Sequence, residues 1–247
     1  MRRFGLIGYP LGHSFSKEYF TEKFARENIS DCVYENFPLS DIRALEELLD
    51  RHIDLVGFNV TIPYKEKIIP FLDFLDPVAK KVGAVNTVSI SRNGNTRVLK
   101  GFNTDVYGFE ISLRKNLKPW HTHALILGTG GASKAVVWVL EKLHILYRFV
   151  SRTPQKGMFS YDDLNQTIIT NHLLIINCTP VGMYPETHQA PPIPYEYLTN
   201  RHFLYDLIYN PDKTLFLANA ERAGAFFCNG LEMLKLQAEK SWEIWNL

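Results

Sequence analysis

Residues 128–133, Gly-Thr-Gly-Gly-Ala-Ser, lie between an apolar run at 124–127 and an apolar-rich stretch that reaches about residue 143. A strand that turns this tightly into a helix needs residues without a Cβ. The turn leaves the first N–H groups of the helix, and the positive end of its dipole, facing whatever fills it. A second apolar run follows at 146–150. Residues 124–153 therefore predict a strand–turn–helix–strand unit with a cradle for a dinucleotide diphosphate at Gly128, Thr129, Gly130, Gly131 and Ala132. Ser133 stands at the third glycine position of the usual fingerprint. A helix-starting turn with no ligand is the plainer alternative.

The second strand ends at Phe149-Val150-Ser151-Arg152-Thr153. A site for the unphosphorylated cofactor places a carboxylate there to accept from the ribose 2′-hydroxyl. This chain offers a guanidinium flanked by two hydroxyls instead, a set suited to a 2′-phosphate. Ser151, Arg152 and Thr153 thus point to NADP (NADPH) rather than NAD. Taken alone, Arg152 would be an ordinary surface arginine at a strand end.

The chain alternates strands and helices on both sides of this unit. Strands are expected at 4–8, 33–37 and 55–60, helices after Ser16 and from Ser40, and a short helix from Lys65 to about Pro70. Residues 85–90 and 97–102, joined through Arg92-Asn93-Gly94-Asn95, predict a hairpin. Further strands are expected at 173–177 and 203–208, and residues 219–245 are helical in pattern with a break at Asn229-Gly230. The expectation is an α/β protein of two α/β domains. Residues 1–102 form a first domain, 103–218 a Rossmann-like NADP-binding domain with a parallel sheet, and 219–247 C-terminal helices.

Composition narrows the function. The 247 residues carry a net charge of +1 with no long basic run, which argues against nucleic acid and anionic membranes. No run of 18 apolar residues occurs, so no membrane span is expected. Three scattered cysteines do not make a disulfide framework or a zinc cluster and fit a reducing, cytoplasmic compartment. The eight histidines show no ligand spacing, so no metal site is expected. The implied partner is a small molecule, bound by a monomer or homodimer.

Polar groups concentrate beside turns in the first hundred residues. Ser14 and Ser16 are two apart, and in extended chain their hydroxyls share a face able to hold a small carboxylate; either one capping the next helix is equally simple. Lys65 follows Pro63 where a helix dipole does not favour a cation. Asn86-Thr87 and Asn103-Thr104-Asp105 follow other strands or turns. A Lys65–Asp105 couple would give an oriented pair able to manage the proton that accompanies hydride transfer.

These motifs, in this order, resemble the shikimate dehydrogenase family over almost the whole chain. The matching segments are Gly8-Tyr9-Pro10 with His13-Ser14 and Ser16, Asn59-Val60-Thr61-x-Pro63-x-Lys65, Asn86-Thr87, Gly101-x-Asn103-Thr104-Asp105-x-x-Gly108 and Gly128-x-Gly130-Gly131-Ala132. They continue with Ser151-Arg152-Thr153, Asn177-x-Thr179-x-x-Gly182-Met183, Asp206-x-x-Tyr209-x-Pro211 and Gly230-x-x-Met233-Leu234-x-x-Gln237. The resemblance implies catalysis by Lys65 and Asp105, and substrate binding by Ser14, Ser16, Thr61, Asn86, Tyr209 and Gln237. It adds Thr179, Gly182, Met183 and Gly230 to the cofactor side, makes residues 1–102 the substrate-binding catalytic domain, and implies that the C-terminal helices of 219–247 pack back on that first domain. The chain departs from the family pattern at Lys17, at Phe20-Thr21 and at Ser151.

The resemblance implies reversible NADPH-dependent reduction of 3-dehydroshikimate to shikimate in aromatic amino-acid biosynthesis. A quinate/shikimate dehydrogenase with relaxed substrate or cofactor use is one alternative, and a non-catalytic ligand sensor of the same fold is another.

Overall fold

The structure is a computed structural model that describes every residue except His13, Ser14 and Asn95. The chain divides into two compact units, Met1–Thr104 with Ala238–Leu247, and Asp105–Gln237.

The first unit holds β1 (Arg2–Gly8), α1 (Phe15–Arg26), β2 (Cys32–Pro38), α2 (Leu45–Arg51), β3 (Leu55–Val60), β4 (Phe74–Leu75), α3 (Pro77–Val82), β5 (Thr87–Asn93) and β6 (Thr96–Phe102). Its strands form one sheet in the order β2-β1-β3-β5-β6-β4. β1 runs parallel to β2 and β3, whereas β5 runs antiparallel to both β3 and β6. The ends of β1, β3 and β6 and the start of β5 consequently share one edge.

Both faces of this sheet are covered, which is why β1 is buried without alternation from Phe4 to Gly8. Ile7, Leu45, Leu49, Leu55 and Phe58 fill one side. Phe4, Phe20, Phe24, Tyr34 and Trp245 fill the other. Gly57 makes room there: a Cβ on it would lie 2.3 Å from the Trp245 ring. The indole N–H of Trp245 donates to the Val88 carbonyl at 2.9 Å.

The second unit holds α4 (Asp105–Arg114), β7 (His123–Leu127), α5 (Gly131–Lys142), β8 (Leu146–Val150), α6 (Gln166–Asn171), β9 (Leu174–Asn177), β10 (Phe203–Asp206), α7 (Leu215–Arg222) and β11 (Phe226–Cys228). α8 (Leu231–Trp245) starts in this unit and supplies Ala238 onward to the first. The sheet is wholly parallel, in the order β11-β10-β9-β7-β8. The chain leaves β7 for β8 on one side and returns to β9 on the other, so the strand order reverses at β7. Ligands of open parallel sheets bind at such a switch point, outside the carboxyl ends of the strands.

The structure corrects four expectations. No α-helix forms from Lys65: Ile68 N–H bonds back to Tyr64 at 3.0 Å for one turn, and a 3₁₀ turn, Ile69–Phe71, follows. Pro70, lacking an N–H, cannot continue the ladder. Ser16 does not cap α1 but lies inside its first turn. The stretch from Ser40 begins as a 3₁₀ turn capped by Asp41, with α2 following only from Leu45. The helical pattern at 219–245 is interrupted by β11, whose three residues pair with β10.

Candidate active site

In the first unit the expected substrate residues gather along the shared edge. Ser16 is buried in α1, Thr61 follows β3, Asn86 immediately precedes β5, and Lys65 lies in the turn after Thr61. The Val85 N–H donates to the Lys65 carbonyl at 2.7 Å, fixing that turn against the approach to β5. Ser14 falls outside the described residues.

A buried hydrogen-bonded cluster holds this edge together. The Tyr34 hydroxyl donates to Asn59 Oδ1 at 2.8 Å. Asn59 Nδ2 donates to Thr87 Oγ1 at 3.1 Å, to Ser241 Oγ at 3.0 Å and to the Asn86 carbonyl at 3.2 Å. Asn86 Oδ1 accepts from the Thr104 backbone N–H at 2.7 Å, and Asn86 Nδ2 donates to Thr104 Oγ1 at 3.0 Å. Buried amides and hydroxyls cost little when satisfied in this way, and a satisfied network allows few alternative arrangements. The sequence motifs contain Asn59 and Thr104 without giving them a role, and Tyr34 and Ser241 lie outside them. Their signal is cross-strand register, which spacing along one chain does not contain.

In the second unit the expected cofactor residues cluster beyond the carboxyl ends of the strands. Gly128 to Gly130 lie between β7 and α5 and Gly131 and Ala132 open α5, Ser151 to Thr153 follow β8, Thr179, Gly182 and Met183 follow β9, and Gly230 follows β11; the expected substrate residue Tyr209 follows β10. Asp105 opens α4, and Gln237 is buried within α8.

This geometry fits a dinucleotide. Gly128 has φ +93°, and a Cβ there would lie 2.7 Å from the Thr179 methyl, so the turn and the loop after β9 meet closely. A Cβ on Gly130 would meet nothing within 4 Å, and no side chain caps the N-terminus of α5. An open cradle at an uncapped helix N-terminus is the feature that receives a diphosphate. Ser133 turns its hydroxyl back to the Gly130 carbonyl at 2.7 Å, which accommodates a side chain where glycine is usual. Ser151 Oγ accepts from the Thr153 N–H at 3.2 Å, shaping the turn that carries the exposed Arg152.

Behind the loop after β9 stands Asp206. Its Oδ1 accepts from Asn177 Nδ2 and the Ile208 N–H, both at 3.0 Å, and its Oδ2 accepts from Thr214 at 2.6 Å. Asn177 Oδ1 in turn accepts from the Thr179 hydroxyl at 2.7 Å and its N–H at 3.0 Å. Burial pushes the Asp206 carboxyl up to about 6, against the opposing pull of these donors. No helix among the described residues is long and apolar enough to cross a membrane. No cluster of three or more metal-ligating side chains is found among the described residues.

Residues 6–88 match the family described as the shikimate dehydrogenase substrate binding domain. The NADP(+) shikimate dehydrogenase of Caldanaerobacter subterraneus is 36% identical over 98% of this chain and 90% of its own length. That of Crocosphaera subtropica is 38% identical, over 98% and 89% respectively. Among solved structures, a shikimate 5-dehydrogenase from Thermus thermophilus, in complex with NADP(H) and shikimate, superposes with a TM-score of 0.83 at 31% identity. It covers 99% of this chain and 93% of that one.

Proposed function

The chain belongs to the shikimate dehydrogenase family, and we infer from this that it catalyses the reversible NADPH-dependent reduction of 3-dehydroshikimate to shikimate. The observation that carries the reading is the near full-length similarity to enzymes of that name, with the glycine turn, Arg152, Thr61 and Asn86 lying next to strand ends. When bound, the nicotinamide supplies or accepts the hydride. The protein's residues do the rest. Gly128 to Ala132 and the N-terminus of α5 hold the diphosphate, Arg152 with Ser151 and Thr153 holds the 2′-phosphate, and Thr179, Gly182, Met183 and Gly230 shape the nicotinamide side.

On the substrate side, Ser14 and Ser16 take the carboxylate without introducing a second buried charge. Thr61, Asn86, Tyr209 and Gln237 hold the ring hydroxyls. Lys65 donates to the oxygen that becomes an alkoxide and delivers its proton, and Asp105 orients that ammonium and a substrate hydroxyl. The three free cysteines support a reducing compartment such as the cytoplasm.

The direct test is nicotinamide absorbance with shikimate and with quinate, each offered NADP+ and NAD+. The expected order puts shikimate with NADP+ first. Preference for quinate or NAD+ would move the assignment to the relaxed quinate/shikimate type, and no turnover with any pair would indicate a silent binder. Lys65→Ala should lower kcat by about 10²- to 10⁴-fold, the usual range for a lost acid or base, and leave NADP+ affinity within about twofold. Weak cofactor binding with normal turnover would remove Lys65 from that role.

A further inference from the structure

Asn86 holds a ring hydroxyl of the substrate in the reading above, and it can do so only while its amide faces one way. The oxygen and nitrogen of an amide are nearly equal in size, so hydrogen-bond partners decide which way that is. The Thr104 backbone N–H, which can only donate, meets Asn86 Oδ1 at 2.7 Å, and Asn86 Nδ2 donates to the Thr104 hydroxyl at 3.0 Å. The Thr87 and Thr104 hydroxyls also reach Oδ1, at 3.3 and 3.2 Å. Each threonine hydroxyl has one proton to place, and its direction depends on a further side chain.

That side chain is Ser241 of α8, which is fully buried. Its Oγ lies 2.8 Å from Thr87 Oγ1 and 3.3 Å from Thr104 Oγ1, and it accepts from Asn59 Nδ2 at 3.0 Å. The two threonine hydroxyls are 3.2 Å apart, so the three oxygens close a triangle. Asn59 Nδ2 donates into it at Ser241 and Thr87, and Asn86 Oδ1, which cannot donate, accepts from it. Hydroxyls linked in this way polarise one another, and the linked set is stronger than its separate bonds. Packing fixes where Ser241 stands. Trp245, one turn further along the same face of α8, fills the space beside Gly57 and donates to the Val88 carbonyl at 2.9 Å.

We propose that Ser241 is a positioning residue for substrate: its hydroxyl, brought to the sheet edge by α8, directs the Thr87 and Thr104 protons and so holds the Asn86 amide in its binding orientation. This rests on the functional reading given above.

Ser241→Ala removes the hydroxyl at a helix position that alanine suits. The KM for shikimate should rise about three- to tenfold, the equivalent of one neutral hydrogen bond. The KM for NADP+ and kcat should stay within about twofold. Ser241→Cys separates the hydroxyl from its volume: a thiol fills the space but is a weak donor, so the KM should stay raised. In an Asn86→Ala background Ser241→Ala should add nothing, because the residue it acts through is gone. Three results overturn the proposal: an unchanged KM for shikimate in folded Ser241→Ala, its return to the wild-type value in Ser241→Cys, or a full additive rise in the Asn86→Ala background. A wild-type chain that does not oxidise shikimate, or an Asn86→Ala variant with an unaltered KM for it, overturns the functional premise instead. Should Ser241→Ala fail to fold, Thr87→Val opens the same triangle at its shortest side with little change of volume. It should raise the KM for shikimate by a similar factor, and an unchanged value refutes the role.

Discussion

Asp206 has no place in the chemistry, and its carboxylate is nonetheless the most consequential buried acid of the second unit. Its pKa of about 6 stands above the ordinary 3.8 because burial penalises the charge more than Asn177, Thr214 and the Ile208 N–H relieve it. The folded state therefore binds more protons than the unfolded state between those two values. Stability from this group is complete below about pH 3.8 and is lost as pH rises to about 6, a change on the order of 3 kcal/mol. Asp206→Asn should flatten that part of the stability curve, read as urea midpoints from pH 4 to 7 in both proteins. Parallel curves would mean the carboxyl titrates normally. Residues of this kind are hidden from sequence reading. Arg152 and the Gly128 turn are legible because each follows its strand directly and its chemistry is local. Asp206 and Tyr34 act through partners 29 and 25 residues away, and only strand register brings those partners within reach.

At the scale of elements, the runs at 55–60 and 146–150 match β3 and β8 to the residue: β3 is buried almost throughout, and β8, at the edge of its sheet, alternates exposed and half-buried positions up to the buried Val150. Short elements escape that logic. β4 has two residues and β11 three, too few for any period, and each exists because a neighbouring strand offers it an open edge. Helix contacts within the second unit are set by a residue whose role is equally silent in the sequence. Gly108 on α4 faces the backbone of α8, and a Cβ there would lie 2.4 Å from the Met233 carbonyl oxygen. A backbone atom of a neighbouring helix cannot turn aside as a side-chain tip can. Gly108→Ala gains helix propensity of at most about 1 kcal/mol and must force the two helices apart, an overpacking cost of about 1–3 kcal/mol. The net expectation is a lower thermal midpoint, and a rise would show that α8 yields freely at this point.

For the whole molecule, two α/β units and an NADP site in the second follow from the glycine turn and the alternation of elements. What that alternation cannot show is that the first unit is discontinuous in sequence. Its core takes Ala238 and Trp245 from the far end of the chain, and its polar cluster takes Ser241. The space beside Gly57 is filled by an indole that arrives only when α8 is made. Removing a buried tryptophan alone costs about 3–5 kcal/mol, a large share of the 5–15 kcal/mol by which domains are stable. A fragment of residues 1–104 should therefore fail to unfold cooperatively, whereas residues 105–237, contiguous and with a complete parallel sheet, should fold and bind NADP+. At a hundredfold excess over its Kd the cofactor should stabilise the second fragment by about 2.7 kcal/mol. Circular dichroism melts of both fragments, with and without NADP+, decide the matter. A cooperative 1–104 fragment would show that the sheet and α1 suffice, and that the C-terminal tryptophan is a cover rather than part of the core.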